Sequence, residues 1–389
     1  MEIRYALASD TWDTAEEQAV KDVLASKRFT MGEFVLKYEQ AFADKFNVKY
    51  AVMSNSGSSA NLLAVAALCY SGKLQPGDEV IVPAVSWSTT YFPLTQYGLT
   101  LRFADIDIET LNIDVAAIKY AVTEKTKAVF AVNLLGNPCD YAPIKKFCDE
   151  RNLILIEDNC ESMGAEYCGE KAGTFGVMGT FSSFYSHHIC TMEGGVTVTN
   201  DEDLYHHMLC IRAHGWTRQL PKDSGLYKKS DNAFYEMFNF IMPGYNLRPL
   251  EMEAAIGLEQ LKKLDNFVKI RRENAEYFCN IFKDDKRFII QKEIGKSSWF
   301  GFSIILRDEL SGQRDKIVNF LQNNGIETRP IVAGNFTKQK ALRYMDYSIS
   351  GELVNADNLH DNGFFVGNNS VPLKEQIDYL TEILNEVCV

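Results

Sequence analysis

Nine cysteines run from Cys69 to Cys388 without a single C-x-x-C or C-x-C pair. An odd, dispersed set of thiols gives no disulfide framework and predicts reduced cysteines in a cytoplasmic protein. Long apolar runs are also missing. Stretches such as Leu62–Leu68 fall far short of a membrane span, and Met1–Trp12 carries Glu2 and Asp10 in place of an apolar export segment; neither a membrane partner nor a leader is expected. Positive charge is short: 40 Lys+Arg face 52 Asp+Glu, a net charge of −12. A broad nucleic-acid surface is therefore not expected, although local basic pockets for phosphate or carboxylate fit that total. The 25 glycines contain no G-x-G-x-x-G, and Gly295-Lys296-Ser297 lacks the upstream glycine of a phosphate loop. With H-E-x-x-H and G-x-S-x-G absent too, nicotinamide, P-loop, zinc-protease and hydrolase readings lose their sharpest support.

The chain has 389 residues, 46% of them hydrophobic and 24% charged, which suits globular cores. At this length two domains are expected, with a division at 1–248 and 249–389. Asp13 and Glu16 form a capping-box pattern before a helix to Ser26. Short apolar runs at Lys49–Met53, Glu79–Val82, Leu101–Ala104, Ala128–Asn133 and Leu153–Glu157 alternate with helical patterns. That alternation predicts an α/β fold with a mainly parallel sheet. A polar excursion is expected over Leu220–Asn232, then a long helix from Leu250 into a smaller α+β domain with a strand at Trp299–Leu306.

Polar residues at the carboxyl ends of such strands are the natural candidates for a site. Ser54–Ser59 precedes an apolar helix, where Gly57, Ser58 and the free first amides suit a phosphate; an ordinary N-cap is the alternative. Asp158 ends the most apolar strand and needs a cationic partner, either a salt bridge or the protonated ring nitrogen of a cofactor. Trp87 is either core or a face for a planar ring. Arg248 and Arg329 are either carboxylate or phosphate clamps or surface salt bridges.

Taken in order, Gly57-Ser58, Trp87, Asp158, Phe181-Ser182, Glu193-Gly194-Gly195 and Asn246-x-Arg248 resemble the motifs of fold-type I pyridoxal-phosphate enzymes. The similarity is to the sugar-aminotransferase branch of the aspartate-aminotransferase fold, and it covers nearly the whole chain. It implies that Gly57, Ser58 and Ser182 bind the cofactor phosphate, Trp87 stacks on the ring, Asp158 pairs with the ring nitrogen, and Glu161 lies beside the ring oxygen. It further implies a homodimer with shared sites, in which Asn246 reaches across the interface.

One position departs from that pattern. The family carries a lysine five residues after the serine and six before the Glu-Gly-Gly, where it bonds covalently to the cofactor. Both counts give His187, and no lysine occurs between Lys171 and Lys222. An imidazole cannot form that bond, yet with an ordinary pKa near about 6.5 it serves as a base at neutral pH. His188, if the segment is extended, points the other way. A metal site built from His187, His188, His206, His207 and His214 is not expected, because adjacent histidines diverge and no carboxylate spacing matches.

The flanks Ser183–Ser186 and Ile189–Gly195, with Asn159–Ser162 and Ala213–Arg218, are similar to a histidine-bearing group of this family. These are 3-dehydratases of a GDP-linked 4-keto-6-deoxy sugar, working in colitose and lipopolysaccharide O-antigen synthesis. The resemblance implies non-covalent pyridoxal and pyridoxamine phosphate, L-glutamate as amino donor, and release of ammonia and 2-oxoglutarate. It makes His214 a second functional histidine, otherwise a plain loop or core residue, and brings Trp216 and Arg218 toward the sugar nucleotide, for which Arg248 and Arg329 are further candidates by their guanidinium chemistry alone. A related CDP-sugar enzyme uses an iron–sulfur cluster, for which the scattered cysteines here are unsuited. A nucleotide-sugar 4-aminotransferase with an unusual base and a non-catalytic cofactor-binding regulator are the alternatives.

Overall fold

The computed structural model describes residues 2–388. The first helix, Thr14–Ser26, starts as the capping pattern requires: Asp13 accepts the Ala15 amide at 2.8 Å and Glu16 accepts the Asp13 amide at 2.8 Å. Strands β1 (Tyr50–Ser54), β2 (Glu79–Pro83), β3 (Thr100–Ala104), β4 (Thr126–Val132) and β5 (Ile154–Asp158) follow, each within a residue or two of its apolar run. After a small hairpin, β6 (Glu166–Tyr167) and β7 (Glu170–Lys171), come β8 (Met178–Ser182) and β9 (Gly195–Thr199). The C-terminal part adds β10 (Phe288–Ile290), β11 (Gly301–Leu306), β12 (Thr328–Arg329), β13 (Tyr347–Ile349) and β14 (Gly363–Gly367).

The large sheet has the order β1-β9-β8-β5-β4-β2-β3-β13, and only β9 runs against its neighbours. Strands β1, β2, β5 and β8 therefore all end at one edge of the sheet. Their last residues, Ser54, Pro83, Asp158 and Ser182, bring the Gly57 turn, Trp87, Asp158 and Ser182 to that edge together. Ser54 and Ser182 both lie opposite Gly195, the first residue of β9. The helix Gly57–Tyr70 is buried on nearly every face because it packs between this sheet and the helix Glu202–Ile211, which explains its uninterrupted apolar sequence.

The helix Glu251–Phe282, 32 residues long, spans about 48 Å at 1.5 Å per residue. Its start packs on the first two helices, and its end contributes Phe278 and Phe282 to a second core with Phe302, Ile304 and Leu380. That core lies under a four-stranded antiparallel sheet, β10-β11-β14-β12. Two segments cross the division expected at 248/249. Tyr5 bridges Ile326 and is buried in the second core, while β13 pairs with β3 in the large sheet. The strand expected from Trp299 begins at Gly301, because Trp299 takes a left-handed turn at φ 48°.

Candidate active site

The turn after β1 is both a cap and a cradle. Ser56 caps the helix by accepting the Ser59 amide at 3.1 Å. Among the described residues, no protein acceptor takes the Gly57 or Ser58 amide, so both remain free donors at the helix start. The Ser58 hydroxyl donates to Thr89 at 3.2 Å. Gly57 is needed for close approach: a Cβ there would lie 2.6 Å from the Ser182 Cβ and 3.0 Å from the Cys160 sulfur. A cradle of free amides and two serine hydroxyls at a helix start fits a phosphate.

Asp158 is 5% exposed, and among the described residues its hydrogen-bond partners are all neutral. Its Oδ2 accepts Asn61 Nδ2 and Thr90 Oγ1, each at 2.8 Å, and its Oδ1 accepts the Cys160 amide at 3.1 Å. Thr180 in turn donates to Asn61 at 2.6 Å. The salt-bridge alternative is thus not what the structure contains. A buried carboxylate held by neutral donors alone suits a positively charged ring nitrogen. Trp87 precedes the helix Ser88–Gln96 that carries Thr90, and at 57% exposed it is a free face rather than core.

His187 is half-buried beside these groups, and its Nδ1 has no hydrogen-bond partner among the described residues. The segment is turned, not extended, since the His187 amide donates to the Phe184 carbonyl at 2.8 Å. His188 nonetheless faces elsewhere, with Nε2 at 3.1 Å from the Ser298 carbonyl. Burial pushes the His187 imidazole down to about 4, against the smaller upward pull of the Cys160 and Ser182 backbone groups. The pKa near 6.5 expected from sequence is corrected accordingly: losing water penalises the charged ring. At neutral pH the ring carries a free lone pair.

Glu161 accepts the Leu135 amide at 3.0 Å. Burial first, and the Asp158 charge as well, push its carboxyl up to about 7, although the Leu135 amide pulls it down. A carboxyl whose folded value is raised favours folding at low pH and loses that contribution as pH rises through about 7. Glu161→Gln is therefore expected to gain stability over the wild type between pH 5 and pH 8, by up to about 3 kcal/mol. Urea unfolding of both proteins at the two pH values measures it; equal shifts would contradict the raised carboxyl.

The remaining candidates form a second group. His214 is exposed, with φ 64° and its amide bonded to the Tyr245 carbonyl at 2.8 Å. Asn246 is exposed, bridges Ala213, and accepts Arg248 Nε at 2.9 Å. Trp216, stacked on Phe238 and covered by Arg218 at 5.0 Å, lines a cavity of about 260 Å³ with Arg218 and Arg248. No hydrogen bond among the described residues joins these side chains to Asp158 or His187, although Asn55 donates to the Leu247 carbonyl at 3.0 Å. Arg329 stands apart, exposed on β12 in a separate groove. The ion pairs of the described arginines involve Arg212, Arg287 and Arg314, and none of these three candidates.

Sequence reasoning missed Asn61, Thr90 and Phe300. The first two hold Asp158, and Phe300 lies with its ring centroid 5.2 Å from that of His187. None carries a local motif; only Thr90, three residues after Trp87, had a neighbour that pointed to it.

Residues 10–385 match the DegT/DnrJ/EryC1/StrS aminotransferase family. The GDP-4-keto-6-deoxy-D-mannose 3-dehydratase of Escherichia coli O55:H7 is 58% identical over 386 residues, covering 98% of this chain and 100% of that protein. A solved structure of the E. coli GDP-4-keto-6-deoxy-D-mannose 3-dehydratase with bound hydrated PLP superposes with a TM-score of 0.97 at 57% identity, covering 99% of this chain and 100% of that one. Another, of a GDP-4-keto-6-deoxymannose 3-dehydratase with a trapped PLP–glutamate geminal diamine, gives 0.96 at 57% identity over 98% of this chain and 100% of that one.

Proposed function

This chain belongs to the DegT/DnrJ/EryC1/StrS aminotransferase family, and we propose that within it the chain removes the C3 hydroxyl of GDP-4-keto-6-deoxy-D-mannose, as the names of its 57–58% identical relatives support. The product is GDP-4-keto-3,6-dideoxy-D-mannose, with L-glutamate as amino donor and ammonia and 2-oxoglutarate released. The observation that carries this reading is His187, an uncharged imidazole at the site where the family has an amine, beside a phosphate cradle and an Asp158 held by neutral donors alone among the described residues.

Bound pyridoxal phosphate, alternating with its pyridoxamine form, supplies the amine that takes up the C4 ketone and a ring that accepts electrons. The protein's part follows from its own groups. Gly57 and Ser58 amides and the Ser182 hydroxyl hold the phosphate without covalent anchorage. Trp87 covers the ring, and Asp158 keeps a proton on its nitrogen. The neutral His187 ring takes a proton through its free lone pair. An anionic phosphate and substrate beside it favour the imidazolium and raise its low starting value. Returning a proton to C4, as an aminotransferase must, calls for a longer and more flexible group than an imidazole. That difference in reach favours loss of the C3 hydroxyl over amination.

We further infer that the second group, with His214, Trp216, Arg218, Asn246 and Arg248, completes the site of a partner subunit in a homodimer, where Arg218 and Arg248 suit phosphates. All nine cysteines are unpaired, which suits the cytoplasm; no described helix is long and apolar enough to cross a membrane. Incubation with glutamate and the 4-keto sugar tests the reading. Equimolar ammonia and 2-oxoglutarate are expected. Nitrogen retained on the sugar would make the protein an aminotransferase, release of neither product would leave a binding protein, and sedimentation as a monomer would remove the shared site.

A further inference from the structure

The setting of His187 is completed by a residue from the small domain. The Phe300 ring centroid lies 5.2 Å from that of the imidazole with the planes at 83°, and Phe184 presents a second perpendicular ring at 6.0 Å. Phe184 is an exposed neighbour on the same turn, whereas Phe300 is held from both domains. Its amide donates to the Leu135 carbonyl at 3.0 Å, and its carbonyl accepts the buried Arg271 guanidinium at 3.2 Å. Leu135 is itself in the left-handed region at φ 52° and is pinned there by Glu161. At Gly136, φ 96°, a side chain would run into the Trp299 and Phe300 backbone. Asn368 holds the preceding carbonyl, that of Trp299, at 2.8 Å. A non-glycine residue kept in a sparsely populated conformation, with its own amide and carbonyl both bonded, is overdetermined by its surroundings. What all of this places is one aromatic ring, edge-on to the His187 imidazole and tilted against that of His188 at 5.9 Å.

We propose that Phe300 is a positioning residue for His187, fixing the plane of its ring and keeping water from its face. The inference rests on His187 as the proton carrier of the proposed reaction. An edge-to-face contact supplies orientation as well as area, and a misplaced base costs rate without weakening substrate binding. The groups facing His187 from each side are few. Arg271, on the helix Glu251–Phe282, disfavours the charged ring, and burial holds adjacent His188 well below the ordinary histidine value, so that it stays neutral. The Cys160 and Ser182 backbone groups favour it, and the Asp158 and Glu161 carboxyls flank Cys160. Shortening the Phe300 side chain leaves its bonds to Leu135 and Arg271 in place, since both are made by backbone, and loosens the ring contacts to His187, His188 and Phe365.

Phe300→Leu is therefore the test, read first in the full chain before cofactor is added. With only six histidines in the sequence, carbon-13 labelling at Cε1 isolates the His187 resonance, assigned by its loss in His187→Asn. Expected is a titration moved toward the ordinary histidine value by about one pH unit or more. In the loaded enzyme, kcat is expected to fall about tenfold with KM for the sugar within about twofold, and the acidic limb of kcat/KM to move to higher pH. An unchanged His187 titration in a variant that unfolds cooperatively would overturn the proposal. If Phe300→Leu does not fold, Phe300→Met gives the same reading with more of the volume kept. The titration needs no turnover, so a wild type that releases no ammonia would defeat the proposed reaction while leaving the Phe300 result to stand by itself.

Discussion

His187→Asn is expected to lower the coupled release of ammonia and 2-oxoglutarate by about 10³-fold, within the range that a positioned acid–base group supplies. Asparagine keeps the polarity and approximate size of the ring edge but has no lone pair basic enough to take a proton. The cofactor should still bind, because the holders proposed for it, the Gly57 turn, Ser182, Trp87 and Asp158, are all kept in His187→Asn. Absorbance of the bound cofactor, read beside the rate, separates lost chemistry from lost binding. The companion variant is His187→Lys. In the wild type, borohydride should leave no pyridoxyl group on the protein; in His187→Lys it should leave one, on residue 187, readable by mass. A pyridoxyl group fixed to any wild-type side chain would refute non-covalent binding. A rate for His187→Asn within about tenfold of wild type would remove His187 as the proton carrier.

Asp158→Asn carries the second large effect. The carboxylate receives two donors at Oδ2 and one amide at Oδ1, and an amide side chain has only one oxygen to offer. Either orientation turns an NH₂ group toward Asn61 or toward the Cys160 amide, leaving donors face to face at a cost of about 1–3 kcal/mol. The greater loss is chemical. Without a fixed negative charge, a ring nitrogen at this place no longer keeps its proton, and its electron-accepting power falls. Removing a preorganised electrostatic partner of this kind costs about 10²–10³-fold in rate. The decline should persist at saturating cofactor and sugar, since the phosphate cradle is untouched. Activity within about fivefold of wild type, well inside that range, would show that Asp158 is merely structural.

Much of the framework was legible in the chain. The β-strands ending at Ser54, Pro83 and Asp158 were found to within a residue or two because each is an apolar run between turn-forming residues, buried on both faces of a mostly parallel sheet. The first helix was legible from Asp13 and Glu16, since a capping box is a local pattern whose partners are three residues apart. His187 was legible by counting, with Ser182 and Glu193 giving the same position. The partners of Asp158 were not. Asn61 and Thr90 lie 97 and 68 residues from it in sequence, and an asparagine within an apolar helix has no signature of the acid it will meet. Tyr5 likewise joins the second core across 321 residues, in a bridge to Ile326, which no composition shift near residue 248 could announce.

What the amino-acid sequence determined by itself is chemical identity and local order: the alternating α/β pattern, the carboxylate ending an apolar strand, and an imidazole where no amine lies between Lys171 and Lys222. Tertiary structure decided proximity and surroundings. The His187 ring shows the difference. Its type is written at one position, but its titration near about 4 depends on burial, on Arg271 and on the backbone of Cys160 and Ser182. Solvation and electrostatic contact are properties of the space around a group, and that space is enclosed only when distant segments fold onto it.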